Sequence, residues 1–196
     1  MQDAPNDLSG NPVTMEVRNR RQLQLLLVAG VFAAPVLVGL VLAFSGWMPR
    51  TQSYGQAILP QRSIADVTVQ RADGEPFAWR DRSFDWTLVA LPGPDCAKRC
   101  LSQLDLMHRA RIGLGTHADK LRLLYLGTPP GGEAARGFDK VWTIASTPSH
   151  ALDDLRATGP DSVSAVLVMP DGVALTLYPA GSDVNGLRRD LQKVIR

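Results

Sequence analysis

The 196-residue sequence contains only two cysteines and three histidines, and its charges nearly balance, with 21 Lys and Arg against 19 Asp and Glu. No run of cations alternates with aromatic residues. Such runs form the footprint of proteins that bind nucleic acid, so their lack argues against that class of partner. The glycine-rich stretch 127–132 has no Gly-Lys-Ser/Thr sequence, which excludes a phosphate-binding loop of the P-loop type.

One long run, Leu25–Phe44, has no charged or hydrogen-bonding side chain. As a helix it would span about 30 Å, the thickness of the hydrocarbon core of a bilayer. Arginines within residues 18–21 precede the run and Arg50 is the nearest cation after it, so the positive-inside rule puts the N-terminus in the cytoplasm. A signal peptide cleaved near Ala43–Ser45 is the alternative, but the run exceeds the roughly 7–15 apolar residues of such peptides. We therefore expect a retained anchor.

These patterns divide the chain into four parts. We expect a cytoplasmic tail at residues 1–22, a transmembrane helix at 23–47, an irregular tether at 48–62 and a folded domain at 63–196. The folded domain would lie outside the cytoplasm, where disulfides form and persist. A single span flanked by arginines, without a eukaryotic targeting signature, predicts a single-pass protein of the bacterial inner membrane with a periplasmic domain. A mitochondrial location is the alternative.

Hydrophobic patterns in the folded domain predict strands that alternate with helices. After a short hairpin at Asp73-Gly74, strands are predicted at Trp86–Leu91, Leu121–Leu126, Val141–Ala145, Ser164–Met169 and Val173–Tyr178. Helices are predicted at Cys100–Leu114, at Pro148–Ala157 and from a cap at Ser182 or Asp183 to Arg196. The first of these helices should turn four residues toward the core: Leu101, Leu104, Met107 and Ile112. This order predicts an α/β fold of the thioredoxin-like class, preceded by one N-terminal transmembrane helix.

Both cysteines lie where a predicted strand turns into the helix Cys100–Leu114. The separation of four residues places both sulfurs on one face of the first turn, close enough to form a disulfide or to hold one soft metal ion. The helix N-terminus and the adjacent Lys98 and Arg99 would stabilise a Cys96 thiolate. A purely structural disulfide is the weaker interpretation, because a bridge across so short a loop stabilises a fold least.

Several of these features occur together in one known family. With its predicted anchor, a Gly-x-x-x-x-Pro tether at Gly55–Pro60, the Cys-x3-Cys pair and a late strand ending in Pro170–Gly172, the chain resembles the Sco/SenC family over about residues 20–196. The resemblance implies a membrane-anchored thioredoxin fold that handles copper or thiols while the copper centre of cytochrome c oxidase is assembled. It implies copper as the metal, and respiratory oxidase subunits or other periplasmic thiol or copper proteins as partners.

One residue of the family pattern is missing. Members bind copper through both cysteines and a histidine of a late Asp-His pair, and the matching positions here are Pro160 and Asp161. His108 would lie about 12 Å along the helix from Cys100, too far to share an ion. Three other candidates are expected in solvent or in packing: His117, His150 and Met169.

The sequence leaves three hypotheses open. In the first, the chain is a Sco-like dithiol protein whose Cys96 and Cys100 hold Cu(I), a soft ion that accepts low coordination. In the second, Cys96 attacks a client disulfide and Cys100 resolves the mixed disulfide, so both cysteines are catalytic residues of an oxidoreductase. Gly159-Pro160 would then be a candidate for a cis-proline that faces the thiols. In the third, the domain is a non-catalytic accessory part of a membrane complex.

Overall fold

The computed structural model describes residues 27–34, 37, 40–41, 53–80, 83, 85–132 and 136–195. Contacts divide the chain into two units, Met1–Thr51 and Gln52–Arg196. In the first unit the described residues are helical and exposed. Within the ranges given, no helix combines the length and the apolar character that crossing a bilayer requires. The predicted tail and much of the predicted span fall outside the described residues, and both stay predictions.

The second unit is built on a mixed β-sheet. Its strands are β1 (Gln56–Ser63), β2 (Gln70–Arg71), β3 (Trp86–Pro92), β4 (Leu121–Leu126), β5 (Thr143–Ser146), β6 (Val163–Val168) and β7 (Val173–Tyr178). Across the described part of the sheet the order is β1-β7-β6-β3-β4-β5-β2. Strand β4 pairs in parallel with both β3 and β5, whereas β6 runs antiparallel to β3 and to β7. The predicted α/β class is confirmed.

Loops and a 3-10 turn cover one face of the sheet, and helices cover the other. The helices are α1 (Lys98–Ile112), α2 (Phe138–Val141) and α3 (Val184–Val194), with 3-10 turns at Gly115–Lys120 and Asp153–Leu155. Side chains alternate along the central strand β3: Leu88 and Ala90 pack with α1 and α3, and Val89 and Leu91 pack into a second core that contains Ile64. A strand that is buried on both faces reads as one continuous apolar run, as β3 does.

A buried carboxylate fixes the start of the second unit to α3. The side chain of Asp190 is 7% exposed, and its Oδ2 accepts hydrogen bonds from Tyr54 N (2.7 Å), Ser53 Oγ (3.0 Å) and the hydroxyl of Tyr178 (3.3 Å). Burial and the nearby Asp190 charge raise the pKa of Tyr178, which therefore stays a neutral donor. The chain is thus held to α3 just before β1 begins.

The irregular tether predicted over residues 48–62 is wrong for residues 56–62, which belong to β1 and pair with β7. Most β1 side chains are exposed, so no apolar alternation marks the strand in the sequence. Backbone pairing with β7 holds it instead, and the sheet begins before residue 63. The turn at Asp73-Gly74 is present, because Gly74 N donates to Arg71 O at 2.9 Å, but its strand β2 has only two residues.

The helix predicted at Pro148–Ala157 is also wrong. Only Asp153–Leu155 form a 3-10 turn, and Arg156 already has extended backbone. The chain leaves the turn because Ala157 N donates to Leu91 O, at the end of β3. In α1, Leu104 and Met107 are buried as predicted, whereas Ile112, the last helical residue, is 60% exposed.

Candidate functional site

The two cysteines form a disulfide at the start of α1, with their Cα atoms 5.2 Å apart. Cys100 lies in the first turn of α1 and is fully buried in the core. Cys96 lies before the helix and is partly exposed. The pair therefore has an outer and an inner sulfur, which is the asymmetry that an exchange reaction requires.

The cap of α1 comes from a distant residue. Ala97 occupies the N-cap position, and alanine has no side-chain acceptor for the unpaired N–H groups of a helix start. Asp161 accepts three of these donors: its Oδ1 lies 2.9 Å from both Ala97 N and Cys100 N, and its Oδ2 lies 3.0 Å from Arg99 N. The carboxylate of Asp161 thus performs the capping that the local sequence does not supply.

The loop before β6 brings Asp161 to the cysteines. Gly93 N donates to Ser162 O at 2.9 Å, and Asp161 N donates to Pro94 O at 3.1 Å, so the loop runs beside the end of β3. The two segments approach so closely that a Cβ added at Gly93 would lie 2.7 Å from Ala157 O. Asp161 has a φ of 50°, a left-handed conformation that aspartate adopts more readily than most residues.

The charges at the helix start favour an ionised Asp161. Hydrogen bonds from the backbone N–H groups of Cys100 and Arg99 hold the pKa of Asp161 below its usual value. The guanidinium Nε of Arg99 lies 3.5 Å from Oδ2 of this carboxylate, whose side chain is 20% exposed. The sequence predicted that Arg99 and the helix N-terminus would act on a Cys96 thiolate. In the folded protein both act on Asp161.

A cavity of about 560 Å³ opens beside Cys96. Its walls are the segment Pro92–Cys96, which continues from the end of β3, and the loop Gly127–Gly131, together with Tyr125 and Arg156. The Nη1 of Arg156 donates to the carbonyls of Pro92 and Leu126, at 3.0 Å each, and so joins the ends of β3 and β4. Of the two cysteines, only Cys96 lines this cavity.

Tyr125 adds a fixed hydroxyl to the cavity wall. It donates to Thr128 O at 2.9 Å, and burial raises its pKa, against a smaller opposite effect of the Arg156 charge. Tyr125 is therefore a neutral hydrogen-bonding group. The cis-proline suggested at Gly159-Pro160 is wrong, since Leu59–Pro60 is the single cis bond among the described peptide bonds.

The histidines do not join the cysteines in a metal centre. Within the described ranges, no three His, Cys, Asp or Glu residues are arranged to hold a metal ion. The side chain of His150 is 94% exposed, and its Nδ1 lies 2.6 Å from Asp153. His108 lies on α1 beyond the first turns, as predicted. Copper would therefore depend on the two sulfurs, and they can act as thiolate ligands only after the disulfide is reduced.

The fold and the disulfide define a thioredoxin-like domain. Residues 86–196 match the family described as transmembrane-like, thioredoxin-like, C-terminal domain, and because this match covers more than half of the chain, the protein belongs to that family. No curated protein matches the chain.

Several solved structures are similar to this chain. Apo Sco1 from Thermus thermophilus is 15% identical over 76% of this chain and 100% of that chain, with a TM-score of 0.53. Copper-bound ScoI from Arabidopsis thaliana is 12% identical (71% and 96% covered, TM-score 0.48), and the lipoprotein thioredoxin Etrx1 from Streptococcus pneumoniae is 15% identical (65% and 98% covered, TM-score 0.45). The similarity to apo Sco1 supports a Sco-like thioredoxin fold, and at 15% identity it does not assign the chain to the Sco family.

Proposed function

We propose that the domain is a thiol–disulfide redox protein in which Cys96 exchanges with a client and Cys100 resolves the mixed disulfide. The observation that carries this proposal is the unequal burial of the bonded pair. Cys96 is partly exposed beside a cavity of about 560 Å³, whereas Cys100 is completely buried. A client can reach only the outer sulfur, and the inner sulfur is already within bonding distance of it.

The Cys96 thiolate of the reduced protein attacks one sulfur of a client disulfide, and the other client sulfur leaves as a thiolate. Cys100 then attacks Sγ of Cys96, the mixed disulfide breaks, and the second client sulfur leaves. Two electrons and two protons pass to the client while the Cys96–Cys100 disulfide forms. A donor dithiol protein must return both before the next cycle.

We further propose that this chemistry serves a copper site of a respiratory cytochrome oxidase, from a domain anchored in the bacterial inner membrane and facing the periplasm. Cysteines bind metal as thiolates, so an oxidised client cannot accept copper until it is reduced. The sequence resemblance to Sco/SenC proteins supports this setting, as do the transmembrane-like description of the family and the similarity to apo Sco1.

Carriage of Cu(I) by Cys96 and Cys100 is the second candidate function. It is favoured by the adjacency of the sulfurs, because reduction of the disulfide leaves two soft ligands side by side. Asp161 occupies the position that matches the family histidine, yet a carboxylate is a hard ligand and both of its oxygens accept backbone N–H groups. The site therefore suits Cu(II) poorly.

A trapping experiment on the full-length chain in mild detergent tests the proposal. The Cys100→Ser variant, incubated with oxidised glutathione, should gain one glutathione on Cys96, detected by mass spectrometry. The matched Cys96→Ser variant should react far more slowly, since Cys100 is buried. Equal reaction of both variants would reject the assignment of an outer, attacking cysteine.

A copper titration distinguishes the two candidate functions. If the reduced wild-type chain binds Cu(I) no more tightly than the Cys96→Ser variant, the carrier hypothesis fails and the exchange hypothesis stands. If the double Cys→Ser variant fully supports oxidase assembly in cells, neither chemistry is needed there, and the domain is an accessory part of the complex.

A further inference from the structure

The start of α1 presents its N–H donors to a carboxylate instead of leaving them for a thiolate. Asp161 accepts the N–H groups of Ala97, Arg99 and Cys100 at 2.9–3.0 Å. Free donors at such a helix start, together with its partial positive charge, are what stabilise a reactive thiolate in other redox proteins. Here the same donors are already paired with a full negative charge beside the disulfide.

The geometry points to Asp161 as a positioning residue that lowers the reduction potential of the Cys96–Cys100 pair and makes the reduced pair a strong electron donor to client disulfides. This inference rests on the proposed redox function. A disulfide carries no charge, whereas the reduced pair ionises in part to a thiolate, and this ionisation stabilises the reduced form. The carboxylate charge therefore opposes the reduced form and leaves the oxidised form unaffected.

The surrounding charges do not cancel this effect. The Nε of Arg99 lies 3.5 Å from the Asp161 carboxylate, so its charge is directed toward that group. Arg156 lines the cavity, but its Nε lies 3.8 Å from Asp153 Oδ1, so its charge is paired with that carboxylate, and Lys98 is exposed to solvent. Stabilising the reduced form of a dithiol makes the pair oxidising, and opposing that form makes the pair reducing.

A purely structural role for Asp161 gives a different expectation. A cap that only holds α1 in place stabilises the oxidised and the reduced protein equally. Its loss would lower the melting temperature of both forms without moving their equilibrium. The reduction potential therefore separates the electrostatic role from the capping role.

The experiment equilibrates the full-length chain, in mild detergent, with glutathione buffers of defined ratio and measures the fraction of Cys96–Cys100 disulfide by thiol labelling. Asp161→Asn keeps the shape of the side chain and tolerates the left-handed backbone but removes the charge. We expect the equilibrium to move about tenfold toward the dithiol, which for a two-electron couple equals about 30 mV.

Asp95→Asn is the matched control. Asp95 is adjacent to Cys96, exposed, and has a φ of 58°, so asparagine suits its backbone equally well. It also removes one negative charge near the disulfide, but from a side chain that does not cap α1. Because the Asp95 side chain is exposed, solvent screens its charge, and we expect a much smaller shift than for Asp161→Asn; an equal shift would overturn the assignment to Asp161.

A second variant keeps the test valid if Asp161→Asn folds poorly. In the double variant Ala97→Ser, Asp161→Asn, a serine at the N-cap supplies a neutral local acceptor. Its melting temperature should recover while its equilibrium stays shifted toward the dithiol.

The outcomes separate the inference from the proposed function. If Asp161→Asn exchanges with glutathione at the wild-type equilibrium, or if adding Ala97→Ser abolishes its shift, the charge of Asp161 does not set the equilibrium and the inference is overturned. If the folded wild-type disulfide exchanges with neither glutathione nor dithiothreitol, the proposed function fails and the inference fails with it.

Discussion

Two aspartates, Asp190 and Asp161, each link distant segments of this domain, one in a buried structural network and the other beside the disulfide. Asp190 is buried in α3 and binds the backbone and side chains that precede β1. Asp161 is partly exposed and binds the N–H groups at the start of α1, beside the disulfide. Both join segments that are distant in sequence through one carboxylate. They differ in what lies next to the charge.

The difference separates stability from chemistry. Around Asp190 the neighbours are Tyr54, Tyr178 and Lys193, none of which exchanges electrons, so the network serves the fold. Around Asp161 the nearest reactive group is a disulfide whose charge changes when it is reduced. We therefore expect changes at Asp190 to alter mainly the free energy of unfolding, and changes at Asp161 to alter mainly the redox equilibrium.

The largest effect on stability is expected from Asp190→Ala. It removes the acceptor of Tyr54 N and Ser53 Oγ and the partner of the buried Tyr178 hydroxyl, and we expect it to cost about 3 kcal/mol. Urea denaturation of the oxidised protein measures this. Asp183→Ala, which removes the N-cap of the same helix, is the control and should cost about 1 kcal/mol. A smaller loss for Asp190→Ala than for Asp183→Ala would contradict the comparison.

The second largest loss of stability is expected from Gly93→Ala. The new Cβ would lie 2.7 Å from the backbone carbonyl of Ala157, so the loop that carries Asp161 must shift, at a cost of about 2 kcal/mol. Gly131→Ala is the control, because a Cβ there meets nothing within 4 Å. The melting temperature of the oxidised protein tests both. Equal values for the two variants would show that the close approach at Gly93 is not a constraint.

Asp161→Asn should have a smaller effect on stability, and one that depends on pH. Because the pKa of Asp161 is lowered in the folded protein, its contribution is complete above the unfolded value of about 4 and is lost as the pH falls toward the folded value. The difference in urea midpoint between wild type and variant should therefore be full at pH 7 and shrink in acid. If the difference in urea midpoint stays constant down to pH 2, the stabilisation does not come from an ionised Asp161.

The smallest effect is expected from Tyr54→Phe. The hydroxyl of Tyr54 accepts a hydrogen bond from Arg189 at 2.6 Å on an exposed surface, and losing it should cost about 0.5 kcal/mol. The backbone N–H of Tyr54 keeps its bond to Asp190. A loss as large as that of Asp190→Ala would show that the exposed Tyr54–Arg189 pair contributes as much stability as the buried carboxylate, and would contradict the comparison.

The buried strands could be predicted from the sequence because their side chains determine them. Leu121–Leu126 and Val173–Tyr178 form strands with the predicted bounds, and β3 ends one residue later than predicted, at Pro92. Asp183 is one of the two residues predicted to cap the last helix, and its side chain accepts hydrogen bonds from Asn185 N and Gly186 N at the start of α3. In each case a local pattern of apolar or capping residues carries the information.

The elements that were missed depend on distant partners. Strand β1 exists because β7 offers it backbone hydrogen bonds, and its exposed side chains give no signal. The cap of α1 comes from Asp161, far along the chain from Cys100, and no local pattern joins the two. The one available signal was positional, since Asp161 falls where the Sco/SenC resemblance expects a histidine.

The complete burial of Cys100 also bears on oxidative damage. In the reduced protein, peroxide would reach the partly exposed Cys96 first and produce a sulfenic acid there. Cys100 lies close enough to condense with that group, releasing water and restoring the disulfide before irreversible sulfinic acid can form. The inner sulfur would thus protect the outer one, and peroxide would convert the reduced pair to the disulfide instead of inactivating it.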